Sequence, residues 1–230
     1  MKEIFIDSAF AGVTLSLLAY MLGVFLQKKL KNPLVNPLLI SIILTIVVLS
    51  VSGTEYEIYN EGAKYLSWLL TPATVSLAIP LYEELERLKK NFKAIMAGIV
   101  SGVITSLVTI LAMSFFMGLS HKEYVTLLPK SITTAIGIGV SEELGGYVTI
   151  TVAVIVITGV IGNIIGEPVC RLFHIHEPIA KGVAMGTSAH AMGTARALEM
   201  GETEGAMSSL SIAVAGVLTV IGASIFANFL

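Results

Sequence analysis

Residues 182–197 read Gly-Val-Ala-Met-Gly-Thr-Ser-Ala-His-Ala-Met-Gly-Thr-Ala-Arg-Ala. The stretch lies between apolar runs long enough to cross a bilayer, yet it carries Gly182, Gly186, Gly193, Thr187, Ser188, His190, Thr194 and Arg196. A polar, glycine-broken segment cannot face lipid, because nothing in the hydrocarbon satisfies its backbone groups. Ionisable residues at that depth face a bundle interior or an aqueous cavity and mark a pathway or site. The segment reads as the working part of a polytopic, all-α integral membrane protein.

Composition agrees. Hydrophobic residues make up 55% of the 230 and charged residues 13%, with a mean hydropathy of +0.86. A soluble domain carries roughly a quarter charged residues. The length supplies about seven spans of ~20 residues, expected near 4–26, 34–52, 63–82, 92–118, 147–168, 178–199 and 206–229, with a shorter polar piece at 129–146. Residues 1–230 thus read as a single transmembrane domain with halves 1–118 and 129–230. Lys28, Lys29 and Lys31 follow the first apolar run, the reverse of a cleavable signal, so that run reads as a retained span. A net charge of -2 with scattered basic residues gives no support to nucleic-acid binding. The lone Cys170 excludes an internal disulfide.

Loop charge suggests an orientation. Lys28, Lys29 and Lys31, and then Arg87, Lys89, Lys90 and Lys93, mark cytoplasmic loops; Glu55, Glu57 and Glu61 mark an external one. A faint repeat appears at a shift of 114 residues, which lays Ser101-Gly102-Val103-Ile104-Thr105 over Ala215-Gly216-Val217-Leu218-Thr219 and Pro72 over Gly186. Two interrupted helices would give that pattern, as in transporters built from repeats. If 129–146 crosses fully, the halves are parallel; if it dips in and returns, they are inverted. Its glycines and hydroxyls favour the second, so two inverted repeats are expected, each with an interrupted helix and a re-entrant or broken segment.

Several residues could hold a substrate, Thr74, Ser76, Thr187 and Ser188 by hydrogen bonds. Thr187, His190 and Thr194 fall at i, i+3 and i+7, one face if the helix continues. His190 and Arg196 are costly at membrane depth unless paired or wet, although Arg196 could reach the interface by snorkelling. The glycines fit close helix packing equally well. Thr71, Thr74 and Ser76 flank Pro72 in a span that Pro80 also interrupts; prolines there free carbonyls, and half-helix N-termini attract anions. Lys130, Ser131, Thr133 and Thr134 combine a cation with hydroxyls, a set suited to a carboxylate. Backbone near 71–76 and 186–193 is expected to unwind. Enzyme readings fail: Ser188 and His190 point apart on a helix, Cys170, His174 and His176 lack zinc-site spacing, and no phosphate loop is present. No cofactor, metal or catalytic residue is expected.

The pieces Asn36-Pro37-Leu38-Leu39-Ile40, residues 70–81 (Leu-Thr-Pro-Ala-Thr-Val-Ser-Leu-Ala-Ile-Pro-Leu), residues 130–134 (Lys-Ser-Ile-Thr-Thr), residues 184–196 and Glu204-Gly205-Ala206 together resemble the LrgB/CidB family of bacterial membrane proteins along essentially the whole chain. Family members often have proline after the threonine pair, where Ala135 stands here. The resemblance implies one of two activities. One is antiholin-like or holin-like modulation of murein hydrolase activity and autolysis, beside a small LrgA/CidA-like membrane partner. The other is movement of small carboxylates, pyruvate in bacteria and glycolate and glycerate in a plastid relative. Pore formers need few polar intramembrane residues, so the residues favour transport of a small monocarboxylate such as pyruvate, lactate or glycolate, with proton coupling through His190. The expected setting is the bacterial plasma membrane, in lipid, as a homo-oligomer.

Overall fold

The computed structural model describes Ser8 and residues 10–30, 35–76 and 78–230, with Leu70 and Thr74 by backbone alone. Most of the expected N-terminal extension of the first span, together with Lys31 and Asn32-Pro33, lies outside the described residues. Every regular element among the described residues is helical. They divide into two compact units, Met1–Ser76 and Leu77–Leu230, so helix Leu85–Met117, expected in the first half, belongs to the second unit.

The first unit holds α1 (Ala11–Leu30), α2 (Pro37–Ser52), α3 (Tyr56–Trp68) and α4 (Leu70–Ser76). Asn36 starts α2: its side-chain oxygen accepts from Leu38 N at 2.9 Å and Leu39 N at 3.1 Å, with Pro37 preset for the first turn. Gly53 ends it in the left-handed conformation at φ 62°. α1 packs on α2 and α3 through small residues, and Ser16 Oγ meets Tyr59 OH at 2.7 Å. Backbone at 71–76, expected to unwind, is helical. Pro72 lies in the first turn of α4, where proline needs no backbone donor.

The second unit holds α5 (Ala78–Glu83), α6 (Leu85–Met117), α7 (His121–Leu127), α8 (Thr134–Glu143), α9 (Val148–Leu172), α10 (Pro178–Met200) and α11 (Glu202–Phe226), then a 3-10 turn at Ala227–Phe229. α6 and α11 run parallel: Arg87 Nη1 donates to Thr203 Oγ1 at 2.6 Å at one end, and Gly222 lies against Leu107 further along. We call the end carrying Arg87, Lys89, Lys90 and Lys93 the basic end.

α10 is a hairpin. Ala189 has φ -131° and ψ 17°, and His190 has φ 43° and ψ -135°, both outside the helical region. Before them Gly182 and Gly186 pack on Glu204 and Ser208 of α11; after them Thr194 meets Ser208, and Gly205 packs on Leu198. The entering limb is therefore parallel to α11 and the returning limb antiparallel. α9 repeats the test: Gly166 and Gly162 face Met185 and Ala189, whereas Asn163 Nδ2 donates to Met192 O at 2.7 Å and Glu167 pairs with Arg196. Each limb, of ten or eleven residues, measures about 16 Å, half the ~30 Å hydrocarbon thickness.

α7 and α8 form the chain's other hairpin, first in sequence order and entering from the opposite end, with α10 the second. Tyr124 OH donates to Phe226 O at 2.9 Å and the His121 ring meets Leu230 O at 2.6 Å, so α7 enters beside the C-terminus of α11. α8 returns antiparallel to α9, with Gly137 against Ile155 and Ser141 Oγ 2.7 Å from Thr151 Oγ1. The polar piece expected at 129–146 is thus the turn and returning limb.

Five stretches among the described residues are long and apolar enough to cross a membrane: Ala11–Leu30, Tyr56–Glu83, Leu85–Met117, Val148–Leu172 and Glu202–Phe229. α2 is apolar but has 16 residues. The expected span at 178–199 is corrected: it dips in and returns, because the chain reverses at 189–190. Large apolar side chains such as Phe116, 89% exposed, and Ile104, 51% exposed, coat the long helices, as a lipid-facing surface requires. The chain is a multi-pass membrane protein.

Candidate functional site

The two hairpin tips approach each other along α6. Ser131, in the turn between α7 and α8, lies 3.4 Å from Ser106, hydroxyl to hydroxyl. Thr187, one turn before the α10 reversal, packs on Gly102, where an added Cβ would lie 2.6 Å from its methyl group. Those contacts are four residues apart on α6, about 6 Å along its axis. A groove of about 830 Å³ opens between α6 and the entering limb of α10, and both tips line it.

Lys130 and Ser131 contribute from the first tip and Thr187 and Ser188 from the second. Lys130 Nζ donates to Ser131 Oγ at 2.8 Å. Among the described residues no carboxylate lies within ion-pair distance of that ammonium. Thr187 and Ser188 hydroxyls donate back to Val183 O at 2.6 Å and Ala184 O at 2.7 Å, which leaves them able to accept hydrogen bonds. α8 begins at this tip, with Thr133 in extended conformation before its first turn, so its N-terminal dipole adds positive potential there.

α6 supplies residues not singled out from the sequence: Ser101, Thr105, Ser106 and Thr109, with Gly98 and Gly102 between them. They form adjacent rows, 98/102/106 and 101/105/109, each spaced by four on the apolar part of the helix beyond Lys93. That stripe was visible in the sequence as hydroxyls at helical spacing.

Other expected site residues lie elsewhere. His190 is buried against α9, where its Nε2–H donates to Ile155 O at 3.1 Å and its ring covers Gly159. Thr194 is buried 2.7 Å from Ser208 Oγ. Thr187, His190 and Thr194 therefore face α6, α9 and α11 respectively, not one face, because the helix reverses among them. Arg196 pairs with Glu167 and with Glu199 at 2.6 Å. It lines a separate hollow of about 650 Å³ at the basic end, with Arg171 and Lys181. Thr133 and Thr134 do not line the groove. Thr71 and Ser76 belong to the first unit and are exposed, with Ser76 Oγ donating to Pro72 O at 2.8 Å; the Thr74 side chain lies outside the described residues.

The profile of the LrgB-like family matches residues 16–229. The antiholin-like protein LrgB of Bacillus cereus (strain B4264) is 39% identical over 220 residues, covering 95% of this chain and 96% of the relative. The protein of the same name from Bacillus anthracis (strain CDC 684 / NRRL 3495) matches to the same extent. No solved structure matches the chain.

Proposed function

Because the chain belongs to the LrgB-like family, we propose that it takes part in the antiholin-like role its Bacillus relatives are named for, and that its second unit acts there as a carrier of small monocarboxylates. The relatives' name, antiholin-like, supports the first half, and the family resemblance adds modulation of murein hydrolase activity and autolysis to it. The groove supports the second. One observation carries it: Lys130, a half-buried cation with a hydroxyl partner, sits where two hairpins from opposite ends bring their tips together. Opposed half-depth elements at the midplane of a membrane suit a site reached from either side in turn.

In this reading the carboxylate of pyruvate, lactate or glycolate binds Lys130 and Ser131, the α6 hydroxyls contact the rest, and Thr187 and Ser188 accept from the hydroxyl of lactate or glycolate. We assign His190 to holding the second tip on α9, and Arg196 to the basic end. α6 with the first hairpin, and α9 with the second, form an inverted pair of helix-plus-hairpin units. That pairing replaces the shift of 114 residues. The basic end faces the cytoplasm of the bacterial plasma membrane. No catalytic step is assigned. A homo-oligomer and a small LrgA/CidA-like partner remain part of the proposal.

Counterflow of labelled pyruvate, lactate and glycolate into liposomes containing this chain alone tests it. Saturable exchange is expected. A folded, correctly inserted protein with no exchange of any of the three would leave the non-transporting regulator, which acts through an oligomer or partner.

A further inference from the structure

The groove changes character along its length. Lys130 and the hydroxyls of Ser131, Ser106 and Thr109 occupy the inner end. Toward the basic end the walls become Ala94, Ile95, Ile179, Ala180, Val183 and Ala184, with Asn91 and Glu177 at the mouth. From Ser106 to Ala94 is twelve residues of α6, about 18 Å. Its volume of about 830 Å³ lies high in the ~300–1,000 Å³ range of small-molecule sites. A three-carbon acid satisfies only the inner end and leaves the alkyl walls unmatched. The groove is also open along one side, where Ala94, Ser101 and Ala184 are exposed, so an elongated ligand need not thread a pore.

Resting on Lys130 as the carboxylate anchor, we propose that the groove also binds medium-chain monocarboxylates, head at Lys130 and unbranched tail along α6 toward the basic end. Each methylene buried between the alkyl walls should tighten binding about fourfold.

Labelled octanoate binding to the full chain in nanodiscs of uncharged lipid tests this, with pyruvate, acetate, butyrate, hexanoate and octanol as competitors. Affinity should climb about fourfold per methylene from butyrate to octanoate, and octanol, a tail without the anion, should compete at least about tenfold more weakly. Ala184→Phe and Ala94→Phe, each checked for monodisperse elution and each a control on the other, should bring the octanoate-to-butyrate affinity ratio close to one. A flat series with pyruvate still captured overturns the proposal and leaves carriage of small acids standing. Capture of no acid at all removes the carriage reading and this inference with it. Equal octanoate uptake by Lys130→Met or by empty nanodiscs means partition into lipid and also overturns it.

Discussion

His190 holds a backbone conformation, φ 43° and ψ -135°, that side chains other than glycine rarely adopt. Such a residue costs about 1–3 kcal/mol and persists where its surroundings fix it; here the fixing contacts are Ile155 O and the bare face of Gly159. His190→Gly and His190→Ala both lose the ring, but alanine alone keeps the strain. Thermal unfolding should therefore find His190→Gly more stable than His190→Ala by about 1 kcal/mol, and the reverse order would place the turn elsewhere. Lys130 gives the matching functional test. Lys130→Met removes the charged partner of a carboxylate, about 1.5–3 kcal/mol, and should reduce exchange about ten- to a hundredfold, while Lys130→Arg keeps the charge and part of the rate.

The second hairpin holds its place through close backbone contacts. A Cβ at Gly186 would lie 2.4 Å from Ser208 O on α11, whereas one at Gly139, on the free face of α8, meets nothing within 4 Å. Gly186→Ala should lower stability by about 1–3 kcal/mol through overpacking. Gly139→Ala should be neutral or stabilise the helix by about 0.5–1 kcal/mol; equal effects in a denaturation series would contradict this packing. The polar character of residues 182–197, the dip at 129–146 and the meeting of a cation with a hydroxyl at Lys130 and Ser131 were legible, because polarity inside an apolar chain has few explanations. The reversal at 189–190 was not. It has no Pro or Gly at the turning residue, and Gly186 and Gly193 beside it serve contact, not turning. The helical spacing of Thr187, His190 and Thr194 runs through the break unmarked, so residues expected on one face ended on three. The α6 stripe was missed for the opposite reason: serine and threonine at helical spacing look like ordinary helix packing until a second element faces them.

At the scale of the whole chain, the hairpin changes the side on which charges fall. With α10 returning to its starting end, Arg171, Lys181 and Arg196 join Arg87, Lys89, Lys90 and Lys93 at the basic end of the second unit, against Lys122 at the other. By the positive-inside rule that asymmetry predicts a cytoplasmic basic end. Single cysteines at Asn91, Glu177 and Glu202 in a Cys170→Ala background should all resist an impermeant thiol reagent in intact cells, and one at Ser120 should react. Opposite reactivity at 177 and 202 would mean that α10 crosses. The half-depth limbs also bear on how the protein is made. Limbs of ten or eleven residues, one with Lys181, Thr187 and Ser188 and the other with Thr194, Arg196 and Glu199, lack the hydrophobicity to stay at mid-bilayer alone. Gly182 and Gly186 need α11, which the ribosome has yet to deliver when α10 emerges. The limbs must wait at the membrane surface and dock after α11 has inserted, so the step that completes the site comes late in biogenesis, and a chain cut short before residue 202 would leave the membrane holding a groove with only one of its two tips.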